Sequence, residues 1–368
     1  MDRTVFVASA GRRVLGRAVW MLSVGLSVGC GSRTEETPPV PVFPRVDRPA
    51  VSLVCDSILL RGAYVAPTDW RWNGADTLVA LSPKNKDSIL FAFAGDPLQL
   101  FATGGSIGGG PIEYRKPFLA GSSSAGRTVW VGDRQLGRLD RWRIADDAWN
   151  LEHQYRIGGP GTRYSVVYDA EVLNDSTVLV KYDSGEALTL AWVDFVRDST
   201  LGSPDLLLRP KPPGGARMFY DFSMASVREQ VVLGYLFMDR IERWQFEAGR
   251  LVPVWAIGER VERPDERIAA GEVDELTIGY TDLRCSDSLI YALYQGCKTD
   301  DVRSVHSAVE VYDFCGQAVS RWDLGRMVSR IAVDESRRLL YALGTTDNDD
   351  VIYRYRLPER PPKKENSL

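Results

Sequence analysis

Three short runs set an arginine beside an aromatic ring, next to glycine or proline: Tyr114-Arg115, Arg163-Tyr164, and Arg217 with Phe219 and Tyr220. A guanidinium fork takes carboxylate or phosphate through two parallel hydrogen bonds, and tyrosine offers a flat face for stacking. Glycine lets the backbone turn sharply and approach a ligand closely. Brought to one surface, Tyr114, Arg115, Arg163, Tyr164, Arg217 and Tyr220 would grip an anionic glycan, an acidic sugar or an acidic segment of an envelope protein. The plainer use of the same residues is tight turns whose arginines are solvated or paired with nearby acids. A second set is acidic: Asp169, Asp221, Asp282 and Asp334. Converging carboxylates can hold Ca2+, which takes about six to eight oxygens, and such a centre would serve a Ca2+-dependent hydrolase, lactonase or lyase. Otherwise these residues cap strands, accept backbone hydrogen bonds or pair with the arginines.

Other chemistry lacks its residues. His153 and His306 are the only histidines, which nearly removes the commonest general base and metal ligand. No nucleophile elbow, phosphate-binding loop, zinc-protease helix motif or dinucleotide turn occurs. Gly104 to Gly110 is glycine-rich, but no helical pattern follows it. We therefore assign no catalytic residue and expect no cofactor, with Ca2+ as the one candidate. A net charge of −4 and a pI near 5.5 lack the basic footprint that nucleic acid demands.

The elements that would carry these residues repeat. Short β-rich runs begin at Leu78, Val129, Val178, Val232, Leu289 and Leu340, at intervals of 51, 49, 54, 57 and 51 residues. A second run follows each, from Ile89, Leu139, Leu188, Ile241, Val309 and Val351. In the fifth unit an insertion, Gly296 to His306, lengthens the gap and is placed in a loop. Preceding runs (Phe118, Ser165, Arg330) and following runs (Leu98, Leu151, Leu251, Val319) raise the count to four strands per unit, which is a propeller blade. The last unit has three strands, and Val51 to Leu60 has no unit of its own. This N-terminal strand is expected to complete the sixth blade and close the ring, leaving no open edge. The expected fold is all-β, a six-bladed β-propeller, with the loops between blades on one face.

The first thirty residues read as an export signal. Arg3, Arg12, Arg13 and Arg17 precede a mostly apolar stretch, Ala18 to Gly29, too short for the roughly 20 residues of a membrane span. Leu26-Ser27-Val28-Gly29-Cys30 resembles a bacterial lipobox, with Leu one place earlier than usual. On that reading Cys30 is lipidated, and Gly31 rather than Asp after it points to the outer membrane, facing periplasm or surface. Gly31 to Pro49 is Pro-rich and polar, as suits an extended spacer. The expected organisation is signal peptide 1–29, tether 30–49, propeller 50–358 and polar tail 359–368.

With the lipobox-like start and the blade count, Gly108-Gly109-Gly110-Pro111-Ile112-Glu113-Tyr114 resembles the Gly-x-Gly-Pro-x-Glu-Phe turn after the first blade of the TolB-like six-bladed propeller lipoproteins. The resemblance implies a bacterial envelope protein and supplies no catalytic residues. Cys55, Cys285, Cys297 and Cys315 permit three complete pairings in an oxidising compartment, or buried free thiols, and the sequence does not choose.

Overall fold

The computed structural model describes residues 40–46, 49–59, 67–73, 76–123, 127–157, 167–211, 216–258, 264–301, 305–344 and 351–359. Six antiparallel sheets stand around one axis as the blades of a propeller. Blade 1 is Asp69–Trp72, Leu78–Leu81, Leu90–Ala94 and Gln99–Gly104. Blade 2 is Pro117–Ser123, Thr128–Asp133, Arg138–Ala145 and Ala148–Arg156. Blade 3 is Val167–Val172, Thr177–Asp183, Leu188–Asp194 and Ser199–Gly202. Blade 4 is Phe222–Val227, Gln230–Tyr235, Ile241–Glu247 and Arg250–Ile257. Blade 5 is Thr277–Cys285, Leu289–Lys298, Ala308–Asp313 and Ala318–Asp323. Blade 6 is Val328–Asp334, Leu339–Gly344 and Val351–Arg356, and Cys55–Leu59 pairs antiparallel with the last of these to close the ring.

Both faces of each sheet are covered by neighbours, so the middle strands are apolar nearly throughout instead of alternating. The buried side chains fall into six clusters, each drawn from two adjacent blades. Three joints also bury a carboxylate of a third strand: Asp140, Glu242 and Glu310. A buried charge is costly unless paired and hydrogen-bonded. Each of these is met by a tyrosine hydroxyl (Tyr114, Tyr235, Tyr280), by an aromatic donor two residues on or its relay, and by an arginine.

The arginine at Glu310 comes from outside the ring. Arg45 donates to Glu310 at 2.6 Å and to Asp239 at 3.1 Å, and lies 3.5 Å over the Tyr294 ring. It belongs to an N-terminal strap that crosses three blades. Val42–Phe43 pairs in parallel with the outer strand of blade 4, and Val51–Ser52 with that of blade 5, before the closing strand of blade 6. Phe43 wedges between Trp255 of blade 4 and Gly316 of blade 5, where a Cβ would stand 2.7 Å from its ring.

The compact unit therefore begins at Val40, not at residue 50. A Pro-rich composition hides the strap because pairing over two residues at a time needs no hydrophobic period. The closing strand is shorter than the Val51 to Leu60 run, since Val51 and Ser52 serve blade 5. The insertion in blade 5 is only partly a loop: Lys298 and Cys297 extend the first hairpin by pairing with Thr277 and Ile278.

Candidate functional site

The first strand of each blade faces the axis, and side chains two apart share a face. On the odd-numbered blades this places charge pairs in the channel: Asp69 and Arg71, Asp169 and Glu171, Asp282 and Arg284. Arg71 donates to Glu171 at 2.7 Å and to the Leu119 carbonyl at 3.1 Å, joining blades 1, 2 and 3. Arg284 pairs with Asp282 at 2.8 Å and reaches Asp69 and the carbonyls of Trp70 and Ile331, joining blade 5 to blades 1 and 6. Lys181 joins blade 3 to blade 4 through Asp221 and the Phe222 carbonyl, both at 2.8 Å. Burial raises the pKa of Asp169, Glu171 and Asp282 above the ordinary carboxylate range, while Lys181, Arg71 and Arg284 respectively oppose the shift.

At the face carrying the interblade loops the channel opens into a cavity of about 470 Å3. Six cations line it (Arg71, Arg115, Lys116, Arg134, Arg284 and Arg330) against three carboxylates, Asp69, Asp169 and Asp282. In a chain of net negative charge this is a local inversion of sign. Three of the cations sit on two loops at blade 2 whose backbone is fixed by one buried residue, Asp133. Its Oδ2 accepts the backbone N–H groups of Arg115 (2.6 Å) and Lys116 (3.2 Å), and its Oδ1 those of Gln135 and Leu136 (both 2.9 Å). The N–H of Arg134 donates to the Lys116 carbonyl, and its guanidinium lies 5.6 Å from the Phe118 ring centre. Among the described residues no carboxylate lies within ion-pair distance of Arg115, Lys116 or Arg134.

The residues singled out in the sequence are distributed differently. Arg115 is at the cavity mouth. Tyr114 is not: it is buried between blades 1 and 2, donates to Asp140 at 2.6 Å, accepts from Trp142 at 2.7 Å, and is covered by Arg138. Tyr220 is also in the core and donates to Asp265. Neither ring offers a face to a ligand, because the aromatic that follows such a loop is drawn into the joint beneath it. Arg217 pairs with Asp183 at 3.1 Å. Arg163, Tyr164 and Cys30 lie outside the described residues.

The glycine-rich turn is folded around its own Glu113. The Glu113 carboxylate accepts the Gly110 N–H, and a Cβ on Gly108 would overlap it at 2.1 Å. Of the acidic set, Asp169 and Asp282 line the cavity, and Asp221 is held by Lys181. Asp334 lies at the opposite mouth, a cavity of about 720 Å3, where it accepts from the Ser336 hydroxyl and the Arg337 N–H. Among the described residues no three His, Cys, Asp or Glu side chains are grouped to hold a metal ion. Cys55, Cys285, Cys297 and Cys315 are free thiols, and burial pushes the Cys285 thiol up.

The sequence reading missed Asp69, Arg71, Glu171, Arg284 and Arg330. Asp-x-Arg recurs at the start of blade 1 and near the end of the first strand of blade 5, and that repeat is the available signal. It is faint because the Asp69–Trp72 strand is only four residues long.

No family model matches the chain, and no curated protein does. Among solved structures it is similar to a Bacteroides fragilis protein described as exported, at 10% identity and a TM-score of 0.54, over 87% of this chain and all of that one. It is also similar to a luciferin-regenerating enzyme, at 9% identity and a TM-score of 0.50, over 83% of this chain and 95% of that one. At such identities the likeness is one of fold: a six-bladed β-propeller.

Proposed function

We propose that this chain is a binding scaffold, held at the cell envelope through a lipidated Cys30, that takes an anionic group in the cationic mouth of its channel. The observation that carries this reading is the trio Arg115, Lys116 and Arg134, brought to one cavity by loops whose backbone is fixed on Asp133 and, among the described residues, with no carboxylate within ion-pair distance. A backbone fixed in advance gathers the three cations at one mouth, so only their side chains remain to be ordered on binding. A Ca2+-dependent hydrolase would need the channel carboxylates as ligands, whereas Lys181 and Arg284 occupy Asp221 and Asp282.

The test is calorimetric titration with inorganic phosphate, succinate and hexaglutamate at low and moderate salt. Saturable binding that weakens with salt is expected, falling about tenfold or more in Arg115→Ala with Arg134→Ala, as loss of charge-assisted hydrogen bonds implies. Equal affinities in a folded double variant overturn the reading of this mouth. The anchor is tested separately by labelled palmitate, whose incorporation is expected to disappear in Cys30→Ala.

A further inference from the structure

The mouth holds more than cations, and the remainder specifies the ligand. A bare anion such as phosphate needs donors alone and makes no use of the carboxylate of Asp169 in the same cavity. Hydroxyl groups differ, because each donates one hydrogen bond and accepts others. Asp169 has spare accepting capacity: among the described residues its one hydrogen-bond donor is the N–H of Ala170, taken on Oδ1. Ser223, also on the wall, donates its hydroxyl to the Thr281 carbonyl and so keeps its own oxygen free to accept. Leu81, Pro83, Pro117, Phe118 and Met224 add an apolar wall beside these polar groups.

Cations at the rim, acceptors on the floor and an apolar wall match three features of one ligand class. These are an acidic group, several ring hydroxyls and a face of C–H bonds. We infer that the mouth receives a hexuronic acid, as a free sugar or at the end of an acidic glycan. This rests on the anion-binding reading above and narrows it. The carboxylate lies among Arg115, Lys116 and Arg134, and the ring hydroxyls donate to Asp169 and to the Ser223 oxygen. About 470 Å3 is within the usual range of about 300–1,000 Å3 for small-ligand pockets and holds one or two such rings. An acidic peptide fits less well, since it brings further carboxylates toward the floor and no hydroxyl-bearing ring for the apolar wall.

Galacturonate, glucuronate, galactose and succinate are titrated against the folded protein, and against Arg134→Ala and Asp169→Asn checked by circular dichroism. One of the two uronates is expected to bind at least about tenfold more tightly than galactose, which lacks the acid, or succinate, which lacks the ring, because a site built for hydroxyls rejects their absence. Arg134→Ala weakens uronate and succinate together. Asp169→Asn weakens uronate while leaving succinate equal or tighter, a split that general loss of structure would not produce. If succinate matches both uronates and Arg134→Ala weakens all three, the sugar assignment falls and the anion site stands. If none of the probes binds, nor phosphate or hexaglutamate, both fall.

Discussion

Asp133 shows how one side chain can govern a site it does not enter. Four backbone N–H groups converge on its carboxylate, and they belong to the two loops that carry Arg115, Lys116 and Arg134. Asp133→Ala leaves those part-buried donors without their acceptor, so we expect a loss of about 2 kcal/mol in urea unfolding. Anion affinity should fall with it, and Asp133→Asn should keep part of both. Titration gives a second expectation at this scale. Glu171 has a folded pKa raised by burial, so its protonated form favours the folded state. Its contribution is fully present below the ordinary value of 4.5 and is lost as pH rises through the raised one. The stability of the native protein relative to Glu171→Gln should therefore decline as pH climbs from 4.5, then level off. A difference that grows with pH would contradict this assignment. That Arg115 and Asp169 face one cavity was legible because loop and strand position follow from the repeat. The roles of Tyr114 and Tyr220 were not, because a tyrosine that stacks on a ligand and one that caps a buried carboxylate look alike in a sequence.

At the scale of elements the blades were readable because strand pairs recur about every fifty residues and each is apolar on both faces. The strap was not, since its two pairings cover two residues apiece and its fixing groups, Phe43, Arg45 and Val46, are scattered. Arg45 supplies the close charge partner of Glu310, which Tyr280 and Tyr312 also meet and Arg321 approaches to 3.7 Å. Arg45→Ala should cost about 2 kcal/mol by urea denaturation. That is less than the 3–5 kcal/mol typical of a broken buried pair, because Tyr280 and Tyr312 still donate to Glu310. Replacing Arg45 and Glu310 together, by Met and Gln, should recover part of the loss. A shift no larger than that of an exposed substitution would show the strap to be ornamental.

For the whole molecule, the ring is held by more than its closing strand. Arg71, Lys181 and Arg284 tie each of the six blades to another from inside, and the strap ties blades 4, 5 and 6 from outside. This predicts one cooperative unfolding transition, with tryptophan fluorescence and far-ultraviolet circular dichroism changing together. The strap has a further consequence. Any tension on the chain ahead of Val40 meets the Phe43 wedge and the Arg45 clasp before it reaches Cys55–Leu59, the strand on which the circle depends. The load path thus contains a sacrificial link: in single-molecule extension a short early release, from Val40 to Ser52, should precede the rupture of the ring.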